Sequence, residues 1–221
     1  MWIKICANTN LEDARLAAEL GADALGFVFA ESARQVVAQQ VAKIVSHLPA
    51  EVEKVGVFSS HSAEEILRTV RDAGLTGVQL HGSLNLELVR QLNAEFNGKV
   101  QIIQTLHWSL DEATNNAEEI AAQLKQIAAE PAIDRVLLDS KKGNASGGTG
   151  LTFDWASARS ALKPFNQLKL IAAGGLHPGN VAQAIEELNP WGVDVASGVE
   201  SSKGRKDPQK LEQFIKNVRR I

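Results

Sequence analysis

Apolar positions along the chain follow two alternating patterns, and the alternation occurs eight times in 221 residues. One pattern is a short, nearly uninterrupted apolar run, which is typical of parallel β-strands covered on both faces. The other places apolar residues three and four positions apart, as one buried face of a helix requires. The predicted strands are residues 3–6, 24–29, 54–58, 77–80, 100–106, 135–138, 168–172 and 193–196. The predicted helices are residues 10–20, 41–48, 63–73, 86–96, 111–129, 154–162, 180–188 and 208–218.

Eight strand–helix units of about 25 residues each predict an α/β fold, a single (β/α)8 TIM barrel that occupies residues 1–221 as one domain. An open doubly wound sheet is the alternative, but eight units rather than five or six favour closure. The units share no sequence repeat, which disfavours a solenoid. In a closed barrel the carboxyl ends of all eight strands face one pocket, so residues far apart in sequence meet there.

Charge and composition narrow the classes of partner. The net charge is −3 and the isoelectric point about 6.0, so nothing indicates binding to nucleic acid or to an acidic membrane surface. We find no signal or transit peptide and no apolar stretch long enough to span a bilayer. A single cysteine cannot form an internal disulfide, which suits a reducing compartment. We therefore expect a cytoplasmic protein, a monomer or homodimer, that acts on a small molecule.

Glycine-rich stretches follow the last three predicted strands, at residues 147–150, 173–175 and 197–198. Backbone N–H groups can converge on a phosphate where glycine leaves no side chain in the way. The loops after strands seven and eight of this barrel are a common phosphate site. One cluster alone could equally be a tight turn, but three at adjacent strand ends favour a phosphorylated small-molecule ligand. The candidate binding residues are Gly148, Gly174, Gly175, Ser197 and Gly198.

Two reactive side chains end predicted strands, Cys6 the first and Asp139 the sixth. A lone cysteine is often a small buried hydrophobe, and a carboxylate after a strand often caps a helix or anchors a loop. In a closed barrel, however, one of them can remove a proton while the other donates one. The five histidines and the cysteine show no metal-ligand spacing, and no P-loop, dinucleotide fingerprint or nucleophile elbow occurs. The sequence predicts proton transfer with no metal and no cofactor.

Short motifs spread in order over nearly the whole chain are similar to those of one enzyme family. They are Lys4-Ile5-Cys6, Gly21-Ala22-Asp23-Ala24-Leu25-Gly26-Phe27-Val28-Phe29, Lys54-Val55-Gly56-Val57-Phe58, Val78-Gln79-Leu80-His81-Gly82, Leu137-Leu138-Asp139-Ser140, Gly147-Gly148-Thr149-Gly150, Ala173-Gly174-Gly175-Leu176, Gly192-Val193-Asp194-Val195, Ser197-Gly198-Val199-Glu200 and Lys206-Asp207-Pro208. Together they resemble the phosphoribosylanthranilate isomerase family of tryptophan biosynthesis. Any one motif would be weak evidence, whereas their joint occurrence is highly specific.

The resemblance implies an aldose–ketose isomerase that works without a cofactor. Its reaction is the Amadori rearrangement of N-(5-phosphoribosyl)anthranilate to 1-(2-carboxyphenylamino)-1-deoxyribulose 5-phosphate. The resemblance assigns Asp139 the protonation of the ribose ring oxygen, which opens the ring to a Schiff base. It assigns Cys6 the removal of the proton from sugar carbon 2, and the resulting enolamine tautomerises to the ketone. The acid–base pair also predicts a bell-shaped pH profile.

Four further residues match family positions near the substrate. Arg34 matches the arginine that pairs with the anthranilate carboxylate, a task that suits the fork of a guanidinium group. Gln79 and His81 match positions at the end of strand four, where His81 either contacts the substrate or makes a structural hydrogen bond. Asp194 in strand eight either orients the substrate amine or ties loops together.

Ala7 departs from the family, which usually has glycine after the cysteine, and it strains the backbone if a positive φ is needed there. It is the one feature that favours a barrel that binds phosphate but has lost turnover. A histidine-pathway isomerase performs the same rearrangement on a larger substrate, but uses two aspartates and resembles two half-barrels. Cys6 and the missing repeat argue against it. Epimerase and thiamine phosphate synthase barrels usually need a metal site.

Overall fold

Eight parallel strands close into a barrel in the computed structural model, which describes residues 1–59, 62–109, 116–142, 145–146 and 155–221. The strands are β1 (Trp2–Ile5), β2 (Ala24–Val28), β3 (Glu53–Phe58), β4 (Gly77–Leu80), β5 (Gln101–Ser109), β6 (Arg135–Lys142), β7 (Leu170–Ala172) and β8 (Gly192–Val195). Each strand pairs with the next along the chain, and β8 pairs with β1. The predicted (β/α)8 barrel is confirmed.

Within the part of the chain that the structure describes, eight α-helices surround the barrel and bury an apolar face against it. They are α1 (Leu11–Glu19), α2 (Ala38–Val45), α3 (Ala63–Ala73), α4 (Leu86–Phe96), α5 (Ala117–Ala128), α6 (Trp155–Leu162), α7 (Val181–Leu188) and α8 (Pro208–Arg219). The outward side chains of the strands and the inward faces of the helices form the larger core. No helix within the described residues is both long and apolar enough to cross a membrane.

The region around β5 and β6 differs from the sequence prediction. Both strands extend further, to Ser109 and Lys142, and they pair along this extension. Polar residues interrupt the apolar pattern here, which is why hydrophobicity alone ends the strands early. Asn116 lies inside the predicted fifth helix but is its N-cap, donating to the His107 carbonyl at 2.7 Å and accepting from the Ser109 N–H at 3.0 Å. Residues 111–115 of that prediction lie outside the described residues.

The amino-terminal end of the barrel is filled. A layer of inward side chains, with Trp2 among them, forms a second core. Arg135 lies 4.7 Å from the ring centroid of Trp2 and 4.9 Å from that of Trp191. Its guanidinium donates to both carboxylate oxygens of Glu53, at 2.7 and 2.9 Å. The carboxylate compensates the charge of this buried cation, and the aromatic faces stabilise it further. The packed inner layer closes this end of the barrel.

Within the described residues, two short antiparallel strand pairings lie at the other end of the barrel. Ala145–Ser146 pairs with the end of β6. After β8, Ser197–Val199 forms one 3-10 turn. The chain then makes a ribbon from Glu200–Ser202 and Arg205–Lys206. The ribbon directs Lys206 and Glu200 back toward the carboxyl ends of the strands, where both are buried.

Candidate active site

A cavity of about 260 Å³ opens at the carboxyl ends of the strands. Side chains from the ends of most barrel strands line it, as closure of the sheet requires. The predicted site residues that line this cavity are Cys6, Arg34, Gln79, His81, Asp139, Gly174, Gly175, Asp194 and Ser197. The fold therefore brings together residues that are almost 200 positions apart in sequence.

Two predicted binding residues are not among those that line the cavity. Gly148 lies outside the described residues. Gly198 is in the 3-10 turn after β8, where a methyl group would collide with the Leu176 carbonyl oxygen. Glycine at this position thus allows two loops to approach each other closely. Contact of either glycine with a ligand stays a prediction.

Cys6 follows β1 and is almost fully buried at the cavity wall. Its N–H donates to the Val195 carbonyl at 2.8 Å, and its own carbonyl accepts from Lys206 Nζ at 2.6 Å. A methyl group on Gly26 of β2 would lie 2.6 Å from Sγ, so glycine there makes room for the thiol. Burial raises the pKa of the Cys6 thiol, and the ammonium group of Lys4 opposes that rise.

Ala7 occupies the left-handed region of backbone space, with φ at +63°. Asn8 holds this turn in place, because its side chain donates to the Ile5 and Gly26 carbonyls at 2.8 and 3.2 Å. The Asn8 N–H also donates to Gly26, at 2.9 Å. The positive φ that makes alanine a strained choice is therefore present, and the Ala7 methyl group borders the cavity.

Asp139 lies in β6 opposite His107 of β5 and is 6% exposed. Burial, helped by the negative charge of Asp194, raises the pKa of the Asp139 carboxyl to about 7. A hydrogen bond from the Ser140 backbone and the charge of Lys4 act in the opposite direction. A substantial fraction of Asp139 consequently keeps its proton at pH 7, as a general acid must.

Lys4 and Asp194 form a buried ion pair directly beneath Cys6. Lys4 Nζ donates to Asp194 Oδ1 at 2.8 Å, and Lys4 is 0% exposed. The register pairs the two residues across the β1–β8 contact. The sequence interpretation missed Lys4, although a lysine inside the apolar run of the first strand was a signal for a buried charge.

Glu200 holds the guanidinium group of Arg34. Arg34 Nε donates to its two carboxylate oxygens at 2.8 and 3.1 Å, and Nη2 donates at 2.7 Å. This fork uses one edge of Arg34 and leaves the Nη1 side for another carboxylate. Lys206 Nζ lies 3.6 Å from Glu200, which ties the fork to the Cys6 loop. The sequence interpretation gave Glu200 no role.

His81, His107 and Asp139 converge beside the cavity. Their potential ligand atoms lie within 4.8 Å of one another, and the two imidazole rings meet edge to face at 4.7 Å. Burial lowers the pKa of His81 to about 3, so its ring is neutral. Its Nδ1 has no hydrogen-bond partner among the described residues. Sequence spacing did not reveal this grouping, and the expectation that no metal is needed stays a prediction.

The glycine loops after β7 and β8 meet at one side of the cavity. Gly174 and Gly175 have φ values of +80° and +66°. A methyl group on Gly174 would lie 2.5 Å from the Ser140 backbone nitrogen, which excludes any side chain at this position. Ser197 begins the 3-10 turn immediately after β8. Backbone beside the cavity that carries no side chain at Gly174 and Gly175 has the form that phosphate sites require.

Comparison with known proteins decides the family. The family model described as N-(5'phosphoribosyl)anthranilate (PRA) isomerase matches residues 3–217. The chain belongs to the phosphoribosylanthranilate isomerase family. A Bacillus cereus N-(5'-phosphoribosyl)anthranilate isomerase is 40% identical over 213 residues, which cover 96% of each protein. The family resemblance inferred from the motifs is thereby confirmed.

Solved structures of phosphoribosylanthranilate isomerases share the whole fold. The Thermotoga maritima enzyme superposes with a TM-score of 0.84 at 37% identity, covering 100% of both chains. A second structure, with a TM-score of 0.81, 33% identity and the same complete coverage, is a complex with reduced 1-(o-carboxyphenylamino)-1-deoxyribulose 5-phosphate. That family member therefore binds a phosphorylated compound carrying a carboxyphenyl group.

The raised pKa values of Cys6 and Asp139 determine the pH profile that we predict for kcat/KM. The roles predicted for these residues require the thiolate of Cys6 and the protonated form of Asp139. Below the Asp139 pKa of about 7 the acid stays protonated while the thiolate fraction grows tenfold per pH unit, so the rate rises. Between the pKa of Asp139 and the raised pKa of the Cys6 thiol, a rise in pH increases the thiolate fraction and decreases the fraction of protonated Asp139 by the same factor. The rate is therefore constant in this range.

Above the thiol pKa only the acid continues to be lost, so the rate falls. The acidic limb of the profile therefore reports Asp139 and the alkaline limb reports Cys6. Initial rates at subsaturating substrate from pH 5 to 10 measure both limbs. An acidic limb centred near the ordinary carboxyl value, about 4, would contradict the assignment.

Ala7→Gly should stabilise the fold, because glycine adopts φ +63° without strain from a Cβ atom. We expect the free energy of unfolding to rise by about 1 kcal/mol, measured by urea denaturation. Ala122→Gly is the matched control, since Ala122 is exposed within α5. There the same change should lower stability by about 1 kcal/mol. A loss of stability in both variants would show that Ala7 is not strained.

Glu200→Gln should weaken substrate binding, because the neutral amide cannot hold Arg34 by two charge-assisted bonds. We expect KM to rise about tenfold or more, since such bonds contribute about 1.5–3 kcal/mol, while kcat changes much less. Glu12→Gln is the control, as Glu12 pairs with exposed Arg205 at the surface. Equal KM values for the two variants would remove the assigned role of Glu200.

Proposed function

We propose that this protein is the cofactor-independent isomerase that converts N-(5-phosphoribosyl)anthranilate to 1-(2-carboxyphenylamino)-1-deoxyribulose 5-phosphate in tryptophan biosynthesis. Family membership supports the reaction. The observation that carries the proposal is that Cys6, from the β1 end, and Asp139, from the β6 end, line one cavity. One is a potential base and the other a buried acid that retains its proton near neutral pH.

The proton transfers follow from these two environments. Protonated Asp139 donates to the ribose ring oxygen, and the ring opens to a Schiff base. The Cys6 thiolate then removes the proton from sugar carbon 2, giving an enolamine that tautomerises to the ketone. Substrate and product are isomers, so the reaction needs neither an oxidant nor a reductant.

Substrate binding divides between the two sides of the cavity. We assign the phosphate to the glycine-lined side, formed by Gly174, Gly175 and Ser197 and completed by Gly148 and Gly198. We assign the anthranilate carboxylate to the free edge of Arg34, whose direction Glu200 fixes. This arrangement matches one anion to convergent N–H groups and the other to a guanidinium fork.

The polar floor of the cavity is suited to the sugar hydroxyl groups and the bridging amine. Gln79 donates to Thr105 Oγ1 at 3.1 Å, and its Oε1 has no hydrogen-bond partner among the described residues. We assign that oxygen to a sugar hydroxyl group. Asp194 uses Oδ1 for Lys4, and we assign its second oxygen to the substrate amine. His81 borders the same floor as a neutral ring.

We further propose that the whole chain acts as one domain in the cytoplasm, as a monomer or homodimer. The family match extends from residue 3 to residue 217, which supports one continuous unit. Gel filtration with light scattering distinguishes the two oligomeric states.

Cys6→Ala and Asp139→Asn should each lower kcat by about 10² to 10⁴, the usual contribution of a positioned acid or base. KM should change little, because neither group is assigned to binding. Substrate is generated in the assay and its disappearance is followed by fluorescence. Asp72→Asn, on the exposed surface of α3, is the control and should retain full activity. Near-normal turnover in either active-site variant would overturn its assigned role.

Complementation separates a working enzyme from a barrel that only binds phosphate. The unaltered gene should restore growth of a tryptophan-requiring strain that lacks this isomerase, and the Asp139→Asn gene should not. Absence of growth with soluble unaltered protein would contradict the proposed function.

A further inference from the structure

Lys4 is a fully buried cation one layer below the cavity. Side chains of a strand alternate between its faces, so Trp2, Lys4 and Cys6 all point into the barrel. Lys4 stands directly beneath Cys6 and is 0% exposed. Burying an ammonium group costs several kcal/mol even when it is paired, and a well-packed apolar side chain would avoid that cost. The position therefore calls for an explanation beyond folding.

The stem of Lys4 and the thiol of Cys6 converge on the same point of β2. A methyl group on Gly26 would lie 2.6 Å from Cys6 Sγ and 3.0 Å from Lys4 Cε. The ammonium group beyond that Cε donates to Asp194 at 2.8 Å. Gly26 itself provides no side chain, so it places none between the stem of Lys4 and the sulfur. A thiolate and an ammonium group at such close range attract each other strongly in a buried site.

Among the described residues, four charged groups act on the sulfur, and the titratable Asp139 lines the same cavity. Lys4 of β1, Lys206 of the ribbon and Arg34 after β2 favour the thiolate. Asp194 of β8 disfavours it, as burial does. Asp139 of β6 is protonated below about pH 7 and adds little charge there. Of the favourable groups, Lys4 exerts the largest effect on Cys6.

We propose that Lys4 is a positioning residue whose buried ammonium group favours the reactive thiolate form of Cys6 and screens it from the charge of Asp194. This inference rests on the proposed function, because it explains how a buried thiol can act as the base. A purely structural Lys4 would only anchor Asp194 and leave the acidity of the thiol unchanged. The two roles therefore differ in a measurable way.

The test is the pH dependence of alkylation of the single cysteine by iodoacetamide. Only the thiolate reacts, so the midpoint of rate against pH reports Cys6 without any need for turnover. Lys4→Met keeps a long apolar stem and removes the charge, and we expect the midpoint to rise by about one to three pH units. Asp194→Asn removes the opposing charge, and the midpoint should fall.

A double variant keeps the proposal testable if Lys4→Met alone fails to fold around an unpaired Asp194. In Lys4→Met/Asp194→Asn neither buried charge remains, and the midpoint should lie above that of Asp194→Asn alone. Circular dichroism and thermal melts confirm that each compared variant is folded. An unchanged midpoint in Lys4→Met, or equal midpoints in the double and Asp194→Asn variants, would overturn the proposal. So would shifts in the same direction for the two single variants.

The rate profile provides the catalytic readout. In Lys4→Met the alkaline limb of kcat/KM should move upward by more than the acidic limb. The constant rate between the limbs should fall about tenfold for each pH unit by which they separate. An unaltered protein that is alkylated as expected but does not isomerise the substrate would refute the proposed function and leave the Lys4 effect intact. Normal isomerisation with no alkylation shift would refute the Lys4 inference alone.

Discussion

The pairing of β8 with β1 is the contact on which the site depends. It joins the two ends of the sheet, with Trp2, Lys4 and Ile5 beside Gly192, Asp194 and Val195. This seam carries the Lys4–Asp194 ion pair, and the Cys6 N–H bonds to Val195 one step above it. An open sheet of the same eight strands would keep every helix and strand. It would, however, place Cys6 and Lys4 at one edge of the sheet and Asp194 at the opposite edge.

The loops above the seam extend this constraint. Lys206 donates to the Cys6 carbonyl and lies close to Glu200, which in turn holds Arg34. Cys6, Arg34 and the ribbon after β8 therefore share one network of hydrogen bonds and ion pairs. Burying such charges costs stability, and removing one partner leaves the other uncompensated. The site therefore lowers the stability of the fold, which is typical of a region selected for function rather than for stability.

The sequence predicted what depends on local pattern. Period and length identified the eight strands and helices, and strand ends identified Cys6 and Asp139 as facing groups. The role of Glu200 was not predicted because its partner Arg34 is 166 residues away, and only the closed barrel brings the two residues together. His107 escaped because it lies in the polar extension of β5, where the apolar pattern had already ended. The sequence predicted strain at Ala7 only on the condition that its φ is positive, since a dihedral angle cannot be determined from residue types alone.

Asp139, the proposed acid, and Cys6, the proposed base, share one electrostatic field, and that field cannot favour both roles equally. Asp194 raises the pKa of both Cys6 and Asp139, which helps the acid and hinders the base. Lys4 lowers both, which helps the base and hinders the acid. Lys4 is the largest influence that opposes burial at Cys6, but it is the smallest of the causes acting on Asp139. Lys4 therefore narrows the difference between the pKa values of Cys6 and Asp139. The fraction of molecules that carry both the thiolate and the protonated carboxyl group grows as that difference decreases.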